Sequence, residues 1–413
     1  MNFKNFDNLL ELFFTKYQDQ NIKNIFLDSL VDKKHQFTWE KTFLSIKKLS
    51  EIIKKNSNEG ERCLLISENR PEWLITDLSI MSAGLITVPA YTTYSERDYE
   101  YIINDCDPSI VIVSNQIQYN KIKEIIYKKK LKLKIFSFEK LDISNLEYIN
   151  ISDLLLDLSH IDKSIPKINI KRNDPACIIY TSGTQGNPKG VVLSHGGILN
   201  NCEGAFDLLK PIITNQTRFL TWLPLSHSYE HTVQFVQISI AAKVFYAESI
   251  DKLIKNMNEC SPQVMTAVPR FYQNLYQKIN STFKKAKGFK KFLIYKMLNL
   301  GIKKIRGESL SYTDKVFDLT LELIIRNKIK KQFGGHLKTF VSGGGALDKD
   351  VGEFLNAIGL PTLQGYGLTE ASPVISCNPT NDIRVDTVGI PLKDIEVKIA
   401  EDGEILVKGE NVM

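Results

Sequence analysis

The sequence predicts an α/β protein built on mostly parallel sheets. Two observations carry this expectation. Short apolar runs alternate with longer helical patterns, and the run 176–180 leads straight into a glycine-rich loop. Length agrees: 413 residues suffice for two or three domains of about 150 residues each.

Taken in order, the N-terminal stretch interleaves Lys4, Asp7 and Glu11 with apolar residues, which is helical periodicity and not a secretory leader. Residues 62–67 read as a buried strand. Residues 72–83 read as a helix with Pro71 near its start, and 86–88 as the next strand after a turn at Gly84. Runs 109–114, 176–180, 219–223, 243–246 and 264–267 continue the strand series. The uncharged run between Asp77 and Glu96 carries too many Ser, Thr and Pro residues for a membrane span. From Ile383 the texture becomes β-like, and 396–400 and 404–408 flank Glu401-Asp402-Gly403, a hairpin signal.

Composition narrows the function classes. Hydrophobic residues make up 43% and charged residues 24%, which excludes wholesale disorder. The net charge of +6 is too mild to indicate nucleic acid, and only 9 residues are Arg. The six Cys show no CxxC spacing and read as reduced, buried thiols. Charge is uneven, however: residues 281–340 hold 15 basic and 4 acidic residues. Their pattern is helical, with Phe292, Leu293, Leu298 and Ile302 between lysines. It reads as solvated helix faces or as a contact with an anionic surface, a membrane or a nucleotide.

Four motifs carry chemistry. In Tyr180 to Gly190, the glycines Gly183, Gly186 and Gly190 expose backbone N–H groups, Thr181, Ser182 and Thr184 add hydroxyls, and Lys189 adds a mobile cation. That is a phosphate cradle, and it is not a Walker A loop because Gly190 follows Lys189. In Leu363 to Glu370, Gly365 and Gly367 flank Tyr366, whose ring is suited to stack on a purine, while Thr369 and Glu370 supply a hydroxyl and a carboxylate of the kind magnesium takes. In Val341 to Leu347, Gly343, Gly344 and Gly345 permit close approach to a flat ligand after a strand at 338–341. In Pro224 to His231, His227-Ser-Tyr-Glu-His231 also fits the H-x-x-E-H pattern of zinc peptidases, with both histidines on one helical face, Glu230 as base and Pro224 near the helix start.

Together, and in this order, these motifs resemble the AMP-forming acyl-CoA synthetases among the adenylate-forming enzymes. The loop at 181–190 matches TSGT-x-G-x-PKG, with Gln185 where Thr or Ser is usual, and PLSHSYEH matches PLxHxxE. SGGGALD and QGYGLTE match the adenine-side motifs. SENRPEW, VPRFY, TVGIP and GEILVKG also fit, and favour the long-chain fatty-acid branch.

The resemblance implies two αβ subdomains over roughly 1–380, with a basic helical insertion at 281–338, and an incomplete β subdomain at 381–413. The family's Tyr-x-x-Gly-Asp segment, hinge and small C-terminal domain with its catalytic Lys are not found before Met413, so this chain is expected to be the large N-terminal domain alone. The implied reaction joins a long-chain acid to AMP and then to CoA. Thr184 and Glu370 would hold Mg2+, and the 181–189 loop the β- and γ-phosphates. Tyr366 would stack on adenine, lined by Gly343–Gly345, and Thr369 would meet the α-phosphate. His227 would lie by the acyl carboxylate and His231 would gate the acyl tunnel. ATP, CoA and a fatty acid are the expected small-molecule partners, no nucleic acid is expected, and the location expected is cytoplasmic; the charge of 281–338 suggests in addition peripheral contact with the inner, anionic face of a membrane. The resemblance disfavours zinc. A non-catalytic nucleotide- or lipid-binding derivative of the fold stays open, to be separated from the ligase by what the gene encodes past codon 413.

Overall fold

A computed structural model describes all residues except 33–34, 130–132, 144–146, 182–186 and 215. Among the described residues two large sheets form. The nine-stranded sheet runs in space Ile390–Pro391, Val374–Cys377, Thr362–Gly367, Thr339–Ser342, Val264–Ala267, Arg218–Thr221, Lys243–Tyr246, Ile25–Ser29, Gln36–Thr38. Its central pairs are parallel, and antiparallel pairs close both edges. The seven-stranded sheet runs Tyr148–Asn150, Lys134–Ser137, Ile110–Val113, Arg62–Ile66, Ile86–Ala90, Pro175–Thr181, Lys189–Ser194. It is parallel except for its last pair, Pro175–Thr181 with Lys189–Ser194.

The strands alternate their side chains between two cores, as the pleat requires. Cys63 and Leu65 join the largest core, whereas Leu64 and Ile66 face the opposite side with Tyr99, Ile102 and Ile103. The largest core lies between the sheets. Helix Pro71–Ser82 packs there on strands of both sheets and is buried along its whole length. Pro71 begins it because its fixed φ suits the first helical turn, where its missing N–H costs nothing. Helices His195–Leu209 and Ser228–Ile240 pack on each other in the same layer. The far face of the nine-stranded sheet is covered by helices 253–260, 269–284, 288–305 and 349–357, around Met265, Tyr272 and Phe340.

The stretch expected as a basic helical insertion is helical: Gly288–Ile305, then Tyr312–Leu321, continued through Glu322–Arg326 into Asn327–Lys331. Within 381–413, Ile390–Pro391 joins the edge of the nine-stranded sheet, and Glu396–Ile399 pairs with Ile405–Lys408 as the expected hairpin. All six cysteines are buried and unpaired. No described helix is long and apolar enough to cross a membrane.

Candidate functional site

Strand Arg218–Thr221 has Lys243–Tyr246 on one side and Val264–Ala267 on the other. Successive strands therefore depart in opposite directions, and a crevice opens beyond their C-terminal ends. Ligands of open α/β sheets bind at such switch points. Three of the four sequence motifs meet there. A cleft of about 450 Å³ is lined by His227, Ser228 and Tyr229 from one segment, by Val341–Gly344 from the next, and by Gly365–Thr369 from the third.

Each wall has a local cause. His227 caps helix Ser228–Ile240, its Nδ1 accepting the Tyr229 N–H at 3.1 Å. With Nδ1 an acceptor, the neutral ring carries its proton on Nε2. Burial beside the cleft holds the His227 pKa below its ordinary 6.5, so this neutral form is the one present at neutral pH. Ser228 Oγ meets Thr369 Oγ1 at 3.0 Å and ties the helix start to the opposite wall. Gly343 is required by crowding, because a Cβ there would sit 2.9 Å from the Tyr229 ring. Gly367 is required more strictly, since its Cβ would lie 1.9 Å from the Pro373 carbonyl oxygen. Tyr366 is half-buried in strand Thr362–Gly367, with its backbone paired to Ser376.

The turn carrying Thr369 and Glu370 is clamped from elsewhere in the chain. Asn201 Nδ2 and Asn411 Nδ2 both donate to the Ala371 carbonyl, and the Met413 N–H donates to the Glu370 carbonyl at 2.9 Å. Thr232 Oγ1 donates to the Ser372 carbonyl at 3.2 Å. The Glu370 side chain itself has no hydrogen bond or ion pair to the described residues. A half-buried, unpaired carboxylate fits a hard divalent cation that also takes phosphate oxygens.

The phosphate-cradle motif connects to this cleft through its flanks. Thr181 and Lys189 face each other as the last pair of an antiparallel ladder, which holds the two flanks of the motif side by side. Strand Lys189–Ser194 packs against the turn Thr369–Ala371. Lys189 is exposed. Ser182, Gly183, Thr184 and Gly186 lie outside the described residues. Gly345 is not part of the cleft lining and lies beside Pro269.

The structure corrects the reading of the H-x-x-E-H segment. Helix Ser228–Ile240 starts after His227, four residues later than Pro224 suggests, because Pro224 to His227 forms a turn. His227 faces the cleft, but His231 is fully buried with Nε2 2.8 Å from Asp77 Oδ2. Burial opposes its charge, yet the Asp77 carboxylate and Cys177 together outweigh burial and raise the His231 pKa to about 10. Glu230 turns a third way, toward strand Val264–Ala267, where Oε2 accepts the Thr266 hydroxyl at 2.6 Å. Burial lifts its pKa to about 8. The three side chains do not converge, and no group of metal ligands assembles among the described residues. His231 is thus a core residue paired with Asp77, and it does not line the apolar cavity behind the cleft.

The residue that the motif reading missed is Tyr229. Behind the cleft lies an apolar cavity of about 570 Å³, lined by Ala205, Leu208, Phe219, Val233, Val236 and Val264 among others. Both spaces share Tyr229, Val341, Val374 and Cys377 as a wall. Tyr229 is held there by its hydroxyl, which donates to the Val341 carbonyl at 3.2 Å. Its place between two histidines is the only trace it leaves in the sequence.

A glycine-walled cleft at a switch point, backed by an apolar chamber, is where open α/β sheets take small-molecule ligands. The chain belongs to the AMP-binding enzyme family, whose profile matches residues 16–413. It is 25% identical over 363 residues to the long-chain-fatty-acid–CoA ligase FadD15 of Mycobacterium tuberculosis, covering 87% of this chain and 60% of that protein. It is 30% identical over 348 residues to the peroxisomal long chain acyl-CoA synthetase 6 of Arabidopsis thaliana, covering 82% and 48%. The chain therefore spans 60% or less of these relatives. Its fold matches the N-terminal domain of FACL13 from Mycobacterium tuberculosis with TM-score 0.74 at 14% identity, over 98% of this chain and 90% of that one. It matches ATP-bound MatB from Rhodopseudomonas palustris with TM-score 0.72 at 20% identity, over 98% and 71%.

Proposed function

We propose that this chain is the nucleotide- and acyl-binding part of an ATP-dependent long-chain fatty-acid:CoA ligase. The observation that carries the proposal is the pair of adjoining spaces, one polar and glycine-walled, the other lined by aliphatic side chains, with a single aromatic ring in the wall between them. The names of the relatives point to the same chemistry.

A carboxylate is a poor acyl donor because its leaving group would be oxide. In the proposed first step a carboxylate oxygen attacks the α-phosphorus of ATP and pyrophosphate departs, leaving an acyl-adenylate. In the second, the CoA thiolate attacks the acyl carbonyl and AMP departs. Charge accumulates on phosphate in the first step, so the protein acts by positioning and by placed dipoles. The 181–189 loop, with Lys189, takes the β- and γ-phosphates. Tyr366 stacks on the adenine beside Gly343 and Gly344, and Thr369, steadied by Ser228, meets the α-phosphate. His227, neutral with its proton on Nε2, donates to the acyl carboxylate without trapping it as an ion pair. Glu370 and Thr184 would hold Mg2+, which neutralises phosphate charge when bound.

Pyrophosphate release by the full-length gene product tests the proposal. It should require ATP and rise with a long-chain acid. Release supported only by short or aromatic acids would remove the chain-length assignment, and no acid-dependent release would remove the ligase reading.

A further inference from the structure

We infer that Glu230 is a positioning residue, which as a neutral carboxylic acid pins the cleft end of helix Ser228–Ile240 to the sheet beneath it. The first three residues of this helix reach three different elements. Ser228 meets Thr369 at 3.0 Å, Tyr229 donates to the Val341 carbonyl at 3.2 Å, and Glu230 accepts the Thr266 hydroxyl at 2.6 Å. The first two contacts shape the wall of the cleft. The third lies beneath that wall, where Glu230 is fully buried.

The layer between helix and sheet is polar and uncharged. Gln237 Nε2 donates to Thr221 Oγ1 at 3.0 Å, Gln234 Nε2 donates to Gln237 Oε1 at 2.6 Å, and the Tyr246 hydroxyl donates to Gln234 Oε1 at 2.7 Å. Amides and hydroxyls satisfy one another there. Glu230 is the exception. Its Oε1 makes no hydrogen bond of normal geometry, although Thr221 lies beside the carboxyl, and no cation of the described residues acts on it. An ionised carboxylate in this place is a buried charge without a partner, which is costly. The acid form costs far less, with Oε2 accepting from Thr266 and the proton on Oε1.

Burial accordingly places its titration at about 8. The ionisable groups that face it titrate elsewhere. On its own helix, burial pushes the Tyr229 hydroxyl well above its ordinary value, and His231 is raised to about 10 against burial by Asp77 and Cys177. From the sheet, Tyr246 is likewise pushed well up by burial, and Glu72, which acts on Tyr246 from helix Pro71–Ser82, is held at about 2 against burial by His35 and Arg70. When Glu230 loses its proton, its charge draws in water and the first helical turn leaves the sheet. The cap His227 and the contact between Ser228 and Thr369 move with it. That consequence for turnover rests on the ligase reading, whereas the protonation itself does not.

Two pH titrations test the inference. The Trp222 indole donates to the Thr266 carbonyl at 2.7 Å, so tryptophan emission of the 413-residue chain reports on this layer with no substrate present. Wild-type emission should change with a midpoint of about 8. Glu230→Gln, which keeps the shape and the neutral form, should lack that transition. Thr266→Val removes the donor that favours the ionised form and should move the midpoint up by about one to two pH units. In the full-length gene product, acid-dependent pyrophosphate release should fall through the same pH range in the wild type, and Glu230→Gln should remove the fall. A side chain that only fills space would shift none of these profiles. Flat wild-type emission, a transition that survives in Glu230→Gln, or an unmoved midpoint in Thr266→Val would overturn the inference. Release that stays level while emission changes would overturn the positioning role. Absence of acid-dependent release at every pH would instead remove the ligase reading, and the emission profiles would still decide whether Glu230 is the titrating pin.

Discussion

Replacing Asp77 by Asn tests whether the helix that begins the site is anchored by charge. His231 and Asp77 are both buried, 2.8 Å apart, and join the first turn of helix Ser228–Ile240 to helix Pro71–Ser82. Removing one partner of a buried pair costs about 3–5 kcal/mol, because the remaining group is left desolvated. At about 2.1 cal/mol/K per residue, the unfolding entropy of a chain this long is roughly 0.9 kcal/mol/K, so a 4 kcal/mol loss lowers the melting temperature by about 4–5 °C. The pH dependence has a definite sign. The folded-state pKa of His231 is raised to about 10, above an unfolded value near 6.5. Its contribution is complete below about pH 6.5 and is lost as pH rises through about 10. Calorimetric melting of wild type and Asp77→Asn should therefore show the widest gap near pH 6 and a narrowing gap toward pH 10. Replacing both partners by Leu should cost less than the Asn substitution alone. A gap that stays constant or widens with pH would refute the ion-pair assignment.

Other outcomes follow from the same geometry. Gly343→Val would drive a side chain into the Tyr229 ring and should abolish nucleotide binding by calorimetric titration, with the melting temperature also lowered by the roughly 1–3 kcal/mol that overpacking costs. Glu370→Gln should weaken magnesium-dependent ATP binding roughly 10- to 150-fold, the range for a contact to a charged group, while binding without magnesium stays the same. Tyr229→Ala should merge the cleft with the apolar cavity, shifting acid preference in pyrophosphate release toward bulkier acids. An unchanged preference would show that Tyr229 is not part of the division.

Much of the fold was legible because strand signals are local. The runs at 243–246 and 264–267 coincide with the strands, and Pro71 marks a helix start in both sequence and structure. The short edge strand Gln36–Thr38 had no such signal, since three residues carry no periodicity. The glycine motifs were legible for a related reason: Gly343 and Gly367 sit where any Cβ collides, and such positions tolerate no other residue. His231 shows the opposite case. Its spacing from His227 matches a shared helical face, yet His227 is the cap outside the helix and His231 lies one turn inside it. Only the partner contributed by Asp77, 154 positions away, decides what the second histidine does.

The same distance principle explains how the cleft wall is built. Thr369 and Glu370 occupy a short turn that could not hold its own shape, since a 3-10 helix of three residues has too few internal bonds. It is fixed by Asn201 from one helix, Thr232 from a second, and Asn411 and Met413 from the last residues. Gly197 lets the first of these helices approach, as a Cβ there would lie 2.7 Å from Ser372 Oγ. The motif supplies the side chains of the cleft wall, while residues about 40 to 170 positions away fix their geometry. A substitution at Asn201 should therefore disturb the cleft as much as one within it, although nothing in the sequence around Asn201 announces a functional role.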